Sequence, residues 1–282
     1  MSWQILLVIS IVLLSCNGLF HKSLLESDND PRAQVIVFLG LGGLISIFIA
    51  LLRGKLELAF PPFLIINFLI LAIFATAAYV LKYRGFQLIS ASEVVIFATT
   101  SKFWNVLGAS YFLHEPITIR QIFGTIIILI GIAVTLYIDK KLKLNKGIFF
   151  VLLSAFLMGL SDISGYFILQ TIDASSYQIY FYLLPVFTLL LVQPSTIKKI
   201  SYYFRFDRAL KVTTLAIFDT LGMLALFFAY QAGGKASVIG PLSATKIILT
   251  VIFAIIFLKE RVNITQTLAG AAITVIGVIL LL

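Results

Sequence analysis

Four ionisable residues stand inside stretches that are otherwise apolar: Lys102, Asp162, Asp219 and Lys246. Lys102 follows Ala91 by 11 positions, about 16 Å along a helix at 1.5 Å per residue, and Lys246 follows Ala236 by 10. Asp162 and Asp219 fall near the middle of their own apolar runs. A bare charge at that depth in a bilayer costs at least about 2.5 to 3.5 kcal/mol, so each should face protein interior or a wet cavity. Two lysines could hold a carboxylate or phosphate. Two aspartates could hold an amine or take a proton, because burial raises a carboxyl pKa. The bland alternative is internal pairing, since two Lys and two Asp sum to zero and could lock helices together.

Polar neighbours extend these positions into stripes. Thr99, Lys102 and Asn105 share one helix face, as do Ser243, Lys246 and Thr250. Asp162 is flanked by Ser161 and lies one turn from Tyr166, and Asp219 shares a face with Gly222 and Met223. Asn17 aligns with Asp162 at an offset of 145. Among Tyr177, Tyr180 and Tyr182, the first is expected at the membrane interface, and Tyr180 and Tyr182 partly inward, helped by a kink at Pro185. The candidate substrate-binding set is therefore Lys102, Lys246, Asp162, Asp219, Asn17, Thr99, Asn105, Ser243, Tyr166, Tyr180 and Tyr182. No catalytic group, metal or cofactor is expected. The chain has no Gly-x-x-x-x-Gly-Lys-Ser/Thr phosphate loop, which argues against ATP-driven transport by this chain alone.

The elements that must position these residues are membrane helices. The 282 residues are 61% hydrophobic and 12% charged, against roughly half and a quarter for a soluble domain, and mean hydropathy is +1.09. Apolar segments of about 18 to 23 residues suit helices crossing a ~30 Å core, and no strict alternation favours a barrel. Ten spans fit, at about 2–20, 32–52, 61–81, 91–113, 117–138, 147–170, 176–192, 209–231, 236–258 and 262–282. The net charge of +9 does not call for nucleic acid, because the basic residues lie in short connections. The single cysteine, Cys16, excludes an intrachain disulfide.

The spans repeat. Residues 91–121 return at 236–266 with a constant offset of 145, matching Ser92 with Ser237, Thr100 with Thr245, Glu115 with Glu260 and Gln121 with Gln266. Leu71 to Thr76 mirrors Leu215 to Thr220, and Gln87 mirrors Gln231. The expected halves are 1–139 and 147–282, joined by a basic linker, 140–146. Five spans per half is odd, so the second half enters from the opposite face: an inverted repeat. Fifteen of the 21 Lys and Arg fall by the odd-numbered connections and four by the even-numbered ones. That bias puts both termini outside an inner (cell) membrane. Gly124 and Gly131 in the fifth span, and Gly270 and Gly277 in the tenth, are each seven apart, a spacing for close helix packing. Glu115 and Glu260 are expected to cap the helix that follows each. Gly240-Pro241 invites a broken helix end in the ninth span.

Two five-helix halves, each with a Phe-Leu-x-Glu turn (Phe112 to Glu115, Phe257 to Glu260) and a glycine-containing last helix, resemble the drug/metabolite transporter superfamily, EamA-type branch. The resemblance covers nearly the whole chain. It implies a secondary carrier working by alternating access around a central cavity, with the last helix of each half standing apart. Gly240 to Lys246 is similar to the substrate-reading motif of nucleotide-sugar carriers only in a glycine followed by a lysine; the spacing differs, so that substrate does not transfer. The expected function is a secondary-active exporter of a small polar metabolite, amino-acid-like or anionic. Its partners are that substrate, a coupling proton or other ion, and the lipid bilayer; no nucleic acid is involved, and the sequence carries no sign of oligomeric state. The rival readings are a flippase for a lipid-linked sugar or other amphiphile and, remotely, an intramembrane aspartyl protease using Asp162 and Asp219. The protease lacks its Tyr-Asp and Gly-x-Gly-Asp motifs, since Ser161 and Phe218 precede the aspartates.

Overall fold

The computed structural model describes residues 1–15, 24, 30–89, 94, 97–98, 100–136, 146–246, 248–249 and 264–281. These fold into helices at each expected span. They are α1 (Trp3–Ser15), α2 (Pro31–Leu52), α3 (Pro62–Leu88), α4 (Ser101–Phe112), α5 (Ile119–Leu136), α6 (Lys146–Leu169), α7 (Ala174–Val192), α8 (Phe206–Gln231), α9 (Ala236–Ser243) and α10 (Ile264–Leu281). Among the described residues α2, α3, α6, α7 and α8 are each long and apolar enough to cross a membrane. Local sequence sets many of the ends. Asp30 caps α2 by accepting from the Arg32 N–H at 3.0 Å, and Asp173 caps α7 through the Ser175 N–H at 2.9 Å. Prolines occupy the first turns of α2 and α3, where no amide partner is lost.

The basic connection 193–208 contains a 3-10 helix, Pro194–Phe204, rather than a plain loop. α3 is longer than the sequence pattern indicates. It begins as a 3-10 turn, carries a π-helical segment at Leu71–Ala75, and runs on through Lys82 and Arg84 to Leu88.

Contacts between the halves follow a pseudo-twofold rule. α1 packs on α8 and, symmetrically, α6 on α3, while α2 meets α7, α4 meets α9 and α5 meets α10. Small residues allow each approach. A Cβ at Gly222 of α8 would sit 2.8 Å from Leu14 of α1, and one at Gly42 of α2 would sit 2.9 Å from the Tyr182 ring of α7.

The last helices show the inversion directly. A Cβ at Gly131 would lie 2.7 Å from the Gly270 carbonyl, and one at Gly277 would lie 2.8 Å from the Gly124 carbonyl. Residue numbers rise along one helix as they fall along the other, so repeat mates α5 and α10 run antiparallel. α10 packs chiefly on α5, and the pair stands beside the remaining helices. The main core lies among α2, α3, α7 and α8, around Leu39, Leu71, Tyr182 and Leu215. Large apolar side chains such as Ile5, Phe48, Ile66 and Leu191 line the outside, as lipid contact requires.

Candidate functional site

The two helices that open the site are both irregular where the repeat is polar. At Thr100 the hydroxyl bonds back to the Phe97 carbonyl at 2.6 Å, and the Phe103 amide reaches only three residues back, to Thr100, at 3.1 Å. α4 then starts at Ser101, so Lys102 stands on its first turn. At the repeat mate, Thr245, the hydroxyl bonds back to the Leu242 carbonyl at 2.7 Å, and the Ile248 amide bonds to the Thr245 carbonyl at 3.0 Å. Pro241, which lacks an amide hydrogen, precedes this break, and α9 stops at Ser243. Lys246 follows immediately. Each threonine of the pair thus marks a tightened turn beside a lysine.

α4 crosses α6 and α9 closely. A Cβ at Gly159 of α6 would lie 2.6 Å from the Trp104 Cβ, and one at Gly108 of α4 would lie 2.7 Å from Ile163. Asn105 lies against Gly240, where a Cβ would meet its side chain at 3.5 Å. This approach brings Asp162 under two donors: Lys102 Nζ at 3.4 Å and Asn105 Nδ2 at 3.0 Å. The Lys102 and Asp162 side chains remain 18% and 27% exposed, so the pair borders open space instead of being sealed. Across the bundle, the fully buried Tyr182 hydroxyl donates to the Asp219 carboxylate at 2.6 Å. Gln178, one turn earlier on α7, donates to the Thr220 carbonyl at 2.6 Å and fixes α7 against α8 there. Lys246 lies within electrostatic reach of Lys102, Lys82, Asp219 and Asp162, a neighbourhood of five ionisable groups from α3, α4, α6, α8 and the segment after α9.

Lys82 of α3 lies within electrostatic reach of these groups and is not in the expected set. It interacts electrostatically with Asp219, Lys102 and Asp162, as Tyr79, one turn earlier on α3, does with both aspartates. The hydropathy pattern ends the third span at Leu81 and so leaves Lys82 in a connection. The readable signal is that no breaker separates Leu81 from Gly85.

The remaining expected residues separate. Asn17 and Thr99 lie outside the described residues, as do Thr250 and Glu260. Ser243 is buried but donates its hydroxyl to the Gly240 carbonyl of its own helix at 2.7 Å. Tyr180 does not face the charges: its hydroxyl donates to the Leu58 carbonyl at 2.7 Å, and its ring packs on Phe60 and Phe68. One residue after the inward-facing Ile179, the 100° helical step carries it to the flank that covers the 55–60 connection. Tyr177 is not interfacial but 2% exposed, packed edge-on against Phe227 with centroids 4.8 Å apart. Trp104 turns to α6, edge-on to Phe156.

Tyr166 stands a turn beyond Asp162, edge-on to Tyr230 at 5.1 Å, in a cleft of about 420 Å³ shared with Leu169, Gln170 and Gln231. Glu115 is nearby, and its role differs from the expected one. Its carboxylate accepts from the Ala236 and Ser237 amides at 3.1 and 3.0 Å, capping α9 of the other half. The helix that follows Glu115 is capped instead by a reciprocal pair, in which the Thr118 amide donates to Gln121 Oε1 and the Gln121 amide to Thr118 Oγ1, at 3.0 and 3.2 Å. His114, at φ 51°, turns the chain so that Glu115 reaches across the interface. On the opposite face a cleft of about 340 Å³ is lined by Asp30, Arg32, Arg84, Gln87 and Phe150.

A model of the EamA-like transporter family matches residues 1–137 and 145–282. An uncharacterized protein of Methanocaldococcus jannaschii is 39% identical over 75 residues, which cover 25% of this chain and 53% of that protein, so the chain spans about half the length of that relative. A protein of known crystal structure superimposes with a TM-score of 0.78 at 16% identity, covering 99% of this chain and 95% of its own, and is similar in fold.

Proposed function

The chain belongs to the EamA-like transporter family, membrane transporters of the drug/metabolite type, and from that premise we propose that it is a secondary-active carrier of a small polar metabolite, amino-acid-like or anionic. The observation that carries this reading is the lysine and aspartate cluster between the halves, bordered by the helix breaks at Thr100 and Thr245. Discontinuous helices meeting ionised groups at a repeat interface are where inverted-repeat carriers bind their cargo. A pure ion-pair lock would be better sealed than a pair whose members keep 18% and 27% exposure.

Ties between the halves on both faces support alternating access. Arg53 bonds to Asp173 at 3.0 Å on one face, and Lys199 to Asp30 at 2.8 Å on the other. On the first face Glu115 also bridges to α9. Rocking one half against the other would break one set of ties while keeping the other, exposing the cluster to each side in turn. We assign the face carrying Asp30, Lys199 and the 3-10 helix to the cytoplasm, since Lys and Arg concentrate there. Export in the cell membrane, driven by a proton or other ion, is the direction this reading takes.

Thermal stabilisation of the purified protein by a panel of metabolites, on wild type, Lys102→Ala and Lys246→Ala, tests the site. A ligand that stabilises wild type and neither variant is expected. Equal stabilisation of all three would return the lysines to a structural role.

A further inference from the structure

We propose that the cleft between α2, α3 and α6, on the face that carries the 3-10 helix, binds the phosphodiester headgroup of an anionic phospholipid through Arg32 and Arg84. The cleft holds about 340 Å³ and lies level with three helix ends: the start of α2, the last turns of α3 and the first turns of α6. Here α3 and α6 close on one another, since a Cβ at Gly85 would strike Val151 and lie 3.7 Å from the Gly147 carbonyl. Tyr83 is buried and Gly85 is packed on α6, so Arg84 between them comes out on the exposed side of α3. Gln87 and Leu88 follow it one turn on, along the same helix face. Phe150, one turn into α6, lines the cleft opposite them.

Arg32 is held at the cleft by its neighbours. Its Nη1 donates to the Gln193 side chain at the end of α7, which leaves further donors of a five-donor fork for a ligand. Asp30 also lines the cleft, but both its oxygens are engaged: Oδ1 accepts from the Arg32 amide at 3.0 Å and Oδ2 from Lys199 at 2.8 Å. A planar guanidinium meets a phosphate edge in two parallel bonds, and one from each of two helices suits the two free oxygens of a phosphodiester. The apolar surroundings favour a lipid over a free phosphate. Leu88 and Phe149 stand exposed beside the guanidiniums, where a membrane-embedded chain meets acyl tails. Basic pockets between helix ends at headgroup level are where anionic lipids are held. Because α2 and α3 belong to one half and α6 to the other, a bound headgroup would brace the halves on this face. The cargo site plays no part in this argument.

The test uses the full-length protein in detergent at low salt with three probes: dioleoylphosphatidylglycerol, dioleoylphosphatidylcholine and tail-free glycerol 3-phosphate. Affinities come from the concentration dependence of thermal stabilisation, on wild type, Arg84→Gln, Arg84→Lys, Arg32→Gln and Lys198→Gln. Lys198 is exposed on the same face but outside the cleft, so it controls for diffuse attraction. Wild type should bind phosphatidylglycerol more tightly than either other probe. Arg84→Gln and Arg32→Gln should each weaken that lipid about tenfold, a charged hydrogen bond's worth, and leave phosphatidylcholine nearly unchanged. Arg84→Lys should lose less, because it keeps the charge and gives up only the fork. Lys198→Gln should bind as wild type does. Unliganded melting temperature and elution volume report folding, and Arg84, being exposed, is the position where substitution disturbs it least. The proposal falls if neither lipid stabilises wild type, if both do so equally, or if Arg84→Gln leaves the affinity unchanged. Equal losses in Arg84→Gln and Lys198→Gln would also overturn it, by showing a diffuse charge effect. Glycerol 3-phosphate binding as tightly as phosphatidylglycerol would assign the cleft to a free phosphate and remove the lipid.

Discussion

Asp162 accepts from two different neighbours on α4, and its value to the protein depends on which of them is counted. Removing a buried partner of an ion pair costs roughly 3 to 5 kcal/mol, because the other charge is stranded; partial exposure here should reduce that to about 1 to 3. Asp162→Ala is therefore expected to lower the melting temperature in detergent. Combining Asp162→Asn with Lys102→Gln should recover most of the loss while abolishing ligand stabilisation. Single variants as stable as wild type would show that solvent already screens the pair. Tyr182→Phe removes the donor to Asp219 without changing shape. A bond to a charged group is worth about 1.5 to 3 kcal/mol, and the variant should be destabilised within that range. No change in unfolding midpoint would mean that another partner takes over the carboxylate.

Glu115 shows how one element can be finished by another. The Ala236 and Ser237 amide hydrogens at the start of α9 find their acceptor in the other half, and a carboxylate there also meets the favourable end of the helix dipole. Glu115→Ala should cost about 1 kcal/mol, as loss of a cap does. Hydrogen exchange locates the effect: amides at 236–243 should exchange faster, while those of α5 should not, because Thr118 and Gln121 cap that helix themselves. Faster exchange confined to α5 would contradict the cross-half assignment. The α5–α10 pair depends on the absence of side chains in the same way. Gly131→Leu or Gly277→Leu would drive a Cβ into backbone, 2.7 Å from Gly270 O or 2.8 Å from Gly124 O, and overpacking of this kind costs about 1 to 3 kcal/mol. If both variants melt like wild type, these helices do not press together at glycine.

At the scale of the whole molecule, the two faces are held by acidic caps that also reach basic residues from the other half. Burial pushes the Asp30 carboxyl up, but Lys199 and the Arg32 amide outweigh it and hold it below the usual value of 3.8. Asp173 behaves likewise: burial raises it, and the Ser175 bonds and Arg53 bring it lower. A carboxyl depressed in the folded state contributes stability that is present above its unfolded value and is lost as the pH falls through the folded one. Stability should therefore fall on acidification below about pH 4, and Asp30→Asn and Asp173→Asn should each flatten that limb. An acid limb identical in the variants would assign it to other carboxylates. Salt should weaken the exposed Lys199 contact more than the cap hydrogen bonds.

Apolar length, the odd number of spans and the polar matches at an offset of 145 were enough to read an all-α, membrane-spanning inverted repeat, since hydrocarbon leaves a helix few alternatives. The four intramembrane charges were legible for the same reason: they are expensive where they stand. Partners were not. Helical spacing puts Lys102 and Asn105 on one face, but only the approach of α6, permitted by Gly159, sets Asp162 beneath them. Lys82 was hidden because a hydropathy window ends a span at its first charge, whereas the helix runs on to Leu88. Glu115 was read as a local cap because sequence distance favours neighbours; the fold instead carries it to Ala236, 121 residues away. Sequence alone thus determined four residues that pay to be in the membrane. The tertiary structure decided which of them meet, because pairing across an inverted interface depends on where small residues let helices close.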